Sequence, residues 1–467
     1  MRQYVFTFLG LILLAPALAV AAESAYPPPP PAGQAITVED SIYGVLRTNR
    51  ALRGIQENRN VLEHEVDRAK AGFGPRVDVT GRAGGSVLSD SSTRNKDLDY
   101  QMWGLAGVNA QLVQPIWDGF ATRSRVRTAK STLESVKYRV FDTATSLSLE
   151  GIISHIDVLR RRKILELAEM NVSQHKALVN QAQDRASLGA DTAADVTQAR
   201  SRLQRALSSL SEAKAALLVA EDRYVRLTGL PAAAKMAPVT MPPELYKGPD
   251  AVLTQAEQSN PKLSAYMQDI RAARGERELA DSAFYPTLNL EAGPNYTDRG
   301  GATDRWIYSF DVLGVVRWNI FNSGADLAER RAASARIRQS RQVMYDFLDE
   351  LKLDIESTWT NYQAAQEQYS HYSKAVEYSK YTRSAYVEQF QIGRRSILDV
   401  LDTENELFNS STQAETARGN ILVGAYRLSA LSGNLLPQMS INTGPLGQEP
   451  PKDATDPREE FAPGWFE

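Results

Sequence analysis

Two short segments carry the residue types and spacings with the clearest chemical meaning. In each, a glycine is followed by a hydroxyl residue and then by an aspartate at equal steps; the sets are Gly189, Thr192 and Asp195, and Gly393, Ser396 and Asp399. A glycine can adopt the left-handed conformation that ends a helix, and a hydroxyl followed by a carboxylate at this spacing forms a capping box that starts the next helix. Both segments therefore predict the turn of a helical hairpin.

The sequence offers little for catalysis. The histidines stand singly on segments predicted to be helical, at His64, His155, His175 and His371. The chain contains 0 Cys, which excludes thiolate metal sites and disulfides, and it has neither a nucleophile elbow nor a phosphate-binding loop. We therefore predict no enzyme, no cofactor and no metal. The formal net charge of -3 gives no basic footprint, so nucleic acid is not an expected partner.

An internal duplication organises the chain. Asn49 corresponds to Asn260, and Phe73-Gly74-Pro75 corresponds to Phe284-Tyr285-Pro286, at one constant spacing. The two hairpin segments correspond at a slightly smaller spacing, which indicates a shorter loop in the second copy. Each half is predicted to contain a helix, two strands, a long helix, a turn and another helix, in that order.

The predicted strands alternate apolar residues with polar or small ones. They span about residues 77–88, 100–116, 287–296 and 305–320, with exposed loops at 89–99 and 297–304. Trp103, Trp117, Trp306, Tyr308 and Trp318 lie in or beside them. Aromatic residues at these places suit the girdles of membrane barrels, but they also favour strands in general, and both interpretations stay open.

The helices fall into one capped segment and one very long segment in each half. In the first half, Thr37 can cap a helix that runs to about Gly72. Residues 120–187 and 325–392 contain no proline, so each predicts a single helix on the order of 100 Å long. Apolar seams with coiled-coil spacing follow them, at Leu149, Ile152, Ile156 and Leu159, and at Leu348, Leu351, Ile355, Thr358 and Tyr362. Rods of this length must pack against other rods.

The termini are predicted to lie outside the duplicated body. Residues 1–22 have the layout of a secretory signal peptide, and residues 23–36 form a proline-rich extended lead-in. The expected divisions are a first repeat at 37–235, a linker at 236–247, a second repeat at 248–436, and a disordered tail at 437–467.

Membrane insertion would have to come from strands. Beyond the signal segment, no stretch approaches the roughly 18 to 20 apolar residues of a membrane helix. Four strands per chain cannot close a barrel, because open strand edges are not tolerated in lipid and the smallest barrels have about eight strands. Two copies would supply eight strands and three would supply twelve, and only twelve leave much room for a pore.

The two turn segments resemble those of the TolC family of outer-membrane export proteins. They read RASLGADTAADV at residues 185–196 and FQIGRRSILDVLD at residues 390–402, and the resemblance covers nearly the whole mature chain. It implies an α+β membrane protein with four strands per chain in a trimeric twelve-stranded outer-membrane barrel. A long α-helical coiled-coil tunnel would continue the barrel across the periplasm of a Gram-negative cell.

The resemblance also implies a gate at the hairpin turns. In the family these turns form the periplasmic entrance, where acidic residues constrict the pore and polar bonds hold it shut. Asp399 and Asp402 match the acidic positions, and Arg395 matches the arginine that bonds to an acidic residue of the first turn, here Asp195. Phe390 stands where the family prototype has a tyrosine of the latch. A closed state here should therefore depend more on charge pairs, or be looser.

Docking partners follow from the same resemblance. The expected partners are two further copies of the chain, outer-membrane lipid, a periplasmic adaptor (membrane fusion) protein, and an inner-membrane ABC or RND transporter that supplies the energy. The channel itself would be a passive conduit for type I protein secretion or drug efflux. The helical tips expected to receive the adaptor are Leu188, Gly189, Thr192, Ile392, Gly393 and Ser396.

Two questions stay open at the level of sequence. The rival interpretation is a structural periplasmic or surface coiled-coil protein without a pore, which cell fractionation would distinguish. The cargo has no signature in the sequence. The absence of a lipidation cysteine leans towards protein secretion, or a shared role, over dedicated efflux.

Overall fold

The computed structural model describes residues 26–31, 33–87, 89, 100, 102–189, 191–232, 235–299 and 305–447. The predicted signal peptide lies outside these residues. So do nearly all of the 89–99 loop and the last part of the predicted tail.

Helices and strands alternate in the same order in both halves of the chain. The first half contains α1 Val38–Thr48, α2 Arg50–Ala71, β1 Arg76–Val87, β2 Met102–Trp117, α3 Ala121–Ser187 and α4 Ala193–Thr228. The second half contains α5 Pro249–Ser259, α6 Pro261–Asp281, β3 Thr287–Arg299, β4 Arg305–Arg317, α7 Ala325–Gln391 and α8 Ile397–Leu431. A short helix α9, Leu435–Gln438, follows, and 3-10 turns lie at Ser282–Phe284 and Gly444–Gly447.

The first helical segment is two helices, so the prediction of one helix from Thr37 to Gly72 was wrong in its middle. Thr37 does cap α1, in a reciprocal capping box with Asp40. The break comes at Asn49, whose backbone is extended and whose side chain accepts hydrogen bonds from the N–H groups of Ala51 and Leu52. Asparagine is a strong helix N-cap, and Asn260 starts α6 in the same way in the second half.

The strands form one antiparallel sheet in the order β1-β2-β3-β4. Val79 pairs with Ala110, Val108 pairs with Tyr296, and Tyr296 pairs with Tyr308. The pairing of β2 with β3 joins the two halves. β1 and β4 are the outer strands, and within the described residues neither has a second strand partner.

The register gives the sheet one mainly apolar face and one mainly polar face, because directly opposite residues of antiparallel strands point the same way. The apolar face includes Val79, Val108, Leu290, Tyr296, Tyr308, Val312 and Val316. The polar face includes Thr80, Asn109, Glu291, Asn295, Ser309, Asp311 and Arg317. Glu291 accepts hydrogen bonds there from Gln111 at 2.9 Å and from Arg317 at 2.8 Å.

The apolar face of the sheet is uncovered in the single chain. Val79 is 70% exposed, Val312 is 60% exposed and Val316 is 66% exposed. Monomeric soluble proteins rarely expose a continuous apolar face of this kind, and such a face marks contact with a partner or a membrane.

The strand ends differ slightly from the predicted ones. β3 continues to Arg299, so the expected loop at 297–304 begins later, and β4 ends at Arg317 rather than at Ile320. β4 ends there because its partner begins at Thr287, which pairs with Arg317. Residues beyond Arg317 have no strand beside them.

The helices pack side by side as long rods. α3 runs along α2, α4, α6 and α8, and α7 runs along α6 and α8. The predicted seams are confirmed: Ile152, Ile156, Leu351, Ile355 and Tyr362 are buried between helices. Within the described residues, no helix combines the length and the apolar composition needed to cross a bilayer.

The chain remains ordered past residue 437, which corrects the prediction of a disordered tail from that point. Leu436, Ile441 and Leu446 pack into the apolar cluster formed by α1, α3 and α8. The Nη1 group of Arg59 donates a hydrogen bond to the carbonyl of Leu446 at 3.1 Å. A few apolar residues are enough to hold this segment in place because they bury their side chains in a groove between helices. Residues 448–467 lie outside the described part.

A buried polar cluster holds the linker between the halves against α3. His155 is 0% exposed; its Nε2 lies 3.0 Å from the Ala237 carbonyl and its Nδ1 lies 2.8 Å from the Ser41 hydroxyl. The Tyr224 hydroxyl is 2.7 Å from the same serine oxygen. Burial lowers the pKa of His155, partly opposed by the hydrogen bond to Ala237. This histidine has a structural role.

Candidate functional site

The first hairpin turn, residues 184–196, is called here the first tip. α3 ends at Ser187, and Gly189 follows with a φ of +79°, the left-handed region predicted for it. Thr192 then caps α4: its hydroxyl oxygen accepts a hydrogen bond from the Asp195 N–H at 3.2 Å, and Asp195 accepts one from the Thr192 N–H at 3.0 Å. The predicted capping box is thus complete.

The second hairpin turn, residues 388–400, is the second tip. Gly393 has a φ of +75°, and its N–H donates to the Phe390 carbonyl at 3.0 Å. Ser396 caps α8, but its oxygen is 3.4 Å from the Asp399 N–H. The reciprocal bond, which the spacing predicted and in which the Ser396 N–H would donate to the Asp399 carboxylate, is not formed. The carboxylate turns instead towards Arg395, whose Nη1 is 3.5 Å away.

The outermost side chains of both tips are apolar and solvent-facing. Leu188 is 82% exposed and Ile392 is 65% exposed. Gly189, Thr192, Gly393 and Ser396 are exposed beside them. The tips therefore offer a small apolar surface at corresponding places in the two halves.

A shared apolar core lies beneath the tips and joins the two hairpins. Phe390, at 1% exposure, lies in its centre. α7 carries Phe390, and its neighbours come from the three other helices: Leu178, Val179 and Ala182 from α3, Ala199 from α4, and Ile397, Val400 and Leu401 from α8. Phe390 is thus a core residue.

Arg395 forms its bonds within its own hairpin. Its Nε donates to the Gln389 side chain at 3.2 Å, its guanidinium carbon lies 4.0 Å from the centre of the Tyr386 ring, and Asp399 is its ion-pair partner. Asp195 is not among the partners of Arg395 within one chain. Both hydrogen bonds that the Thr192 backbone and hydroxyl donate to Asp195 use Oδ2.

Hydrogen bonding also sets the electrostatics of Asp195. The Thr192 hydroxyl, followed by the Thr192 N–H, lowers the pKa of this carboxyl below its ordinary value. Donors stabilise the ionised form of a carboxylate, so Asp195 stays negative over a wide pH range.

Two arginines that the sequence interpretation did not assign connect the hairpins. Arg202 of α4 donates to Asp402 of α8 at 2.7 Å. Arg185 of α3 donates to the Phe390 carbonyl at 3.1 Å and pairs with Asp191. The available signal for Arg185 was its place in the last turn of a helix, where cations meet terminal carbonyls.

The part of the chain that the structure describes holds no group of three or more potential metal ligands. Three ion pairs lie at or near the tips: Arg185 with Asp191, Arg395 with Asp399, and Arg202 with Asp402. The arrangement is that of a joint between two hairpins.

Comparison with known proteins agrees with this geometry. The profile of the family described as "Outer membrane efflux protein" matches residues 42–230 and 252–434, one range in each half. These ranges cover well over half of the chain. The chain belongs to the outer membrane efflux protein family. Members of this family are passive outer-membrane channels that reach into the periplasm, so the protein is a channel component and not an enzyme.

Individual relatives match most of the chain. The outer membrane efflux protein BepC of Brucella suis biovar 1 is 24% identical over 401 residues, covering 85% of this chain and 86% of the relative. The alkaline protease secretion protein AprF of Pseudomonas aeruginosa is 23% identical over 397 residues, covering 80% and 81%. A solved structure of CusC has a TM-score of 0.74 at 16% identity and covers 85% of this chain and 92% of that one. The fold of this efflux-family chain is therefore that of known channels.

Proposed function

We propose that three copies of this chain close one twelve-stranded barrel in the outer membrane, continued by a helical tunnel into the periplasm. The observation that carries this proposal is the sheet itself. Its apolar face is uncovered, and among the residues that the structure describes both outer strands lack a partner on one side. Lipid would cover the apolar face, and neighbouring copies would pair the edges of β1 and β4. The polar face, with Glu291 and Arg317, would line the pore.

In this assembly the two tips form the periplasmic entrance. Asp399 and Asp402 supply the negative charge around the opening, and Arg395 of one copy meets Asp195 of its neighbour. Two features of the chain support the second contact. Both Thr192 bonds to Asp195 use only Oδ2, which leaves Oδ1 available, and the Arg395 side chain is 36% exposed. Phe390 supports the entrance as its core.

The exposed tip residues receive a periplasmic adaptor, which connects the channel to an energy-consuming ABC or RND transporter of the inner membrane. Leu188 and Ile392 would provide the apolar contacts, flanked by Gly189, Thr192, Gly393 and Ser396. Nothing lies within 4 Å of where a Cβ would be at Gly189 or Gly393, so a side chain at either position would project into the solvent. Glycine therefore lets an adaptor approach the backbone of the turns closely.

The proposal is tested on the purified mature protein in mild detergent. Its mass in solution should correspond to three copies, and the same sample should conduct ions across planar bilayers. A water-soluble monomer that conducts nothing would contradict the proposal and favour a structural coiled-coil role.

The gate contact has its own test. Arg395→Ala and Asp195→Asn should each raise single-channel conductance, and asparagine keeps the hydrogen bonds to Thr192 while removing the charge. Arg200→Ala is the matched control, because Arg200 is an exposed arginine of α4 close to the first tip. If the two variants conduct like the control, the contact between copies is wrong.

The relatives' names point to two kinds of cargo. One relative is named for secretion of an alkaline protease, and another, from Pseudomonas putida, is named for pyoverdine export. We propose protein secretion, or a role shared with efflux, because the chain has 0 Cys and thus no lipidation site of the kind dedicated efflux ducts carry. Affinity capture of the bound inner-membrane complex would identify the transporter class and with it the cargo.

A further inference from the structure

We infer that Arg185 is the residue that ties the first hairpin to the second and keeps the resting entrance narrow, in place of the tyrosine hydroxyl that this chain lacks. The inference rests on the proposed function of the tips as an entrance. It concerns a contact inside one copy of the chain, whereas the Arg395 contact lies between copies.

The Arg185 guanidinium contacts three groups at once: the carboxylate of Asp191, and the carbonyl and the ring of Phe390. Its Nε and Nη2 groups donate to the two carboxylate oxygens of Asp191, at 3.0 Å and 3.3 Å. Its Nη1 group donates to the Phe390 carbonyl at 3.1 Å, and the guanidinium carbon lies 4.7 Å from the centre of the Phe390 ring. The planar, forked guanidinium fits such a set, whereas a lysine ammonium could satisfy only part of it.

The carbonyl that Arg185 reaches is special because it belongs to the end of a very long helix. α7 ends at Gln391, so the Phe390 carbonyl is among the last in the helix, and its backbone donors are the N–H groups of Ile392 and Gly393 in the turn rather than a further helical turn. Terminal carbonyls carry the negative end of the helix dipole and attract cations. Arg185 therefore caps α7 from the other hairpin.

Partial burial strengthens this contact relative to its neighbours. The side chains of Arg185 and Asp191 are 23% and 13% exposed. The second link between the hairpins, Arg202 to Asp402, involves an aspartate that is 64% exposed, where water and salt screen the charges. Arg185 should therefore contribute more to holding the hairpins together than Arg202.

Arg185 would act as a tie because its two partner residues belong to different hairpins. Asp191 moves with the first hairpin, and Phe390 moves with the second. Separating the hairpins keeps the Asp191 pair intact but breaks the bond to the Phe390 carbonyl and uncovers the ring. Arg395 cannot do this within one chain, because Gln389, Tyr386 and Asp399 all move with it.

Single-channel recording of purified, reconstituted protein tests the tie. A hydrogen bond to a charged group corresponds to roughly a tenfold or larger change in an equilibrium constant, so Arg185→Ala should raise the open fraction on the order of tenfold. Arg185→Lys should fall between wild type and Arg185→Ala. Arg200→Ala, which removes an exposed arginine without a partner across the hairpins, should behave like wild type.

A distance measurement separates a tie from a general loss of stability. The chain has 0 Cys, so spin labels can be placed uniquely at Leu188→Cys and Ile392→Cys. In assemblies diluted with unlabelled chains, Arg185→Ala should lengthen or broaden the distance between the two tips, while Arg200→Ala should not. Should Arg185→Ala fail to assemble, Arg185→Lys provides the same comparison.

The outcomes are distinct. A wild-type protein that conducts, together with unchanged conductance and tip distance in Arg185→Ala, overturns the tie and leaves the channel function standing. An equal effect of Arg200→Ala also overturns it, because the cause would then be net charge. A wild-type protein that does not conduct refutes the proposed function instead.

Discussion

The hairpin tips bury their apolar residues within one chain, whereas the sheet leaves its apolar face exposed. At the tips, residues from four helices of one chain enclose Phe390 completely, and charges join the hairpins at the surface. In the sheet, Val312 and its neighbours stay exposed and the edges are unpaired. The apolar core of the tips is therefore complete within one chain, whereas in the proposed assembly lipid and further copies complete the sheet. An element that is complete by itself can move as a unit, which suits an entrance.

The largest expected effect concerns the core of the tips. Phe390→Ala should lower the free energy of local opening by about 3 to 5 kcal/mol, because it removes a fully buried aromatic ring. Hydrogen exchange of the backbone amides at both tips measures this. Tyr381→Ala, at a position 79% exposed on the same helix, is the control and should change little. Equal exchange in both variants would mean that the core does not hold the tips.

The next effect distinguishes the two faces of the sheet. Val312→Arg places a charge on the proposed lipid face and should cost about 2 to 4 kcal/mol of membrane stability. Leu313→Arg, one residue along β4 and similarly exposed, places the same charge on the opposite face and should be tolerated. Heat-modifiable assembly in outer-membrane fractions reports both. If the two variants are equally defective, the assignment of faces is wrong.

A smaller effect separates the two tips from each other. Thr192→Ala should destabilise the start of α4 by about 1 kcal/mol, because its capping box is complete. Ser396→Ala should cost less at α8, since the corresponding contacts are 3.4 Å long. Amide exchange in the first turn of each helix gives the comparison. A larger loss at Ser396 would contradict it.

The smallest effect is a pH dependence away from both regions. The folded pKa of His155 lies below its ordinary value of 6.5 because of burial, so the unfolded chain binds more protons at acidic pH. The stabilisation is complete above pH 6.5 and is lost as the pH falls below it. Melting temperatures measured between about pH 8 and pH 5 should therefore decline less steeply in His155→Gln than in wild type. Glu39, Asp40 and Arg162 face the same cluster and remain in both proteins. Equal slopes would refute this role for the histidine.

Local rules predicted much of this structure. The long helices, the left-handed glycines at both tips and the Thr192 capping box all follow from contacts between residues close in sequence. The buried seams of α3 and α7 follow from helical periodicity. These features depend on neighbours within one or two turns, so a single sequence is sufficient to identify them.

The features that the sequence did not predict depend on distant contacts. The helical pattern continues across Asn49, so it did not indicate the break there. The packing of Ile441 and Leu446 depends on a groove between helices that are distant in sequence. The partner of Arg185, Phe390, lies far away in sequence on the other hairpin, so the residues around Arg185 do not reveal the contact. The charge partners of Arg395 were predicted from a resemblance between sequences, whereas within one chain the side chain finds nearer ones.

The central claim is that several copies of the chain contribute their strands to one barrel. Cross-linking the edges of the sheet tests it most directly. Within one chain β1 and β4 are three strand spacings apart, about 14 Å, which is far beyond the roughly 4.4 to 6.8 Å between the Cα atoms of a disulfide. Because the chain has 0 Cys, Val79→Cys can be combined in turn with Tyr308→Cys, Phe310→Cys and Val312→Cys, with the single variants as controls. The account predicts that at least one pair, oxidised in membranes, gives covalent dimers and a ladder that ends at trimers. Monomers from every pair, or a ladder that continues beyond three chains, would contradict the shared barrel.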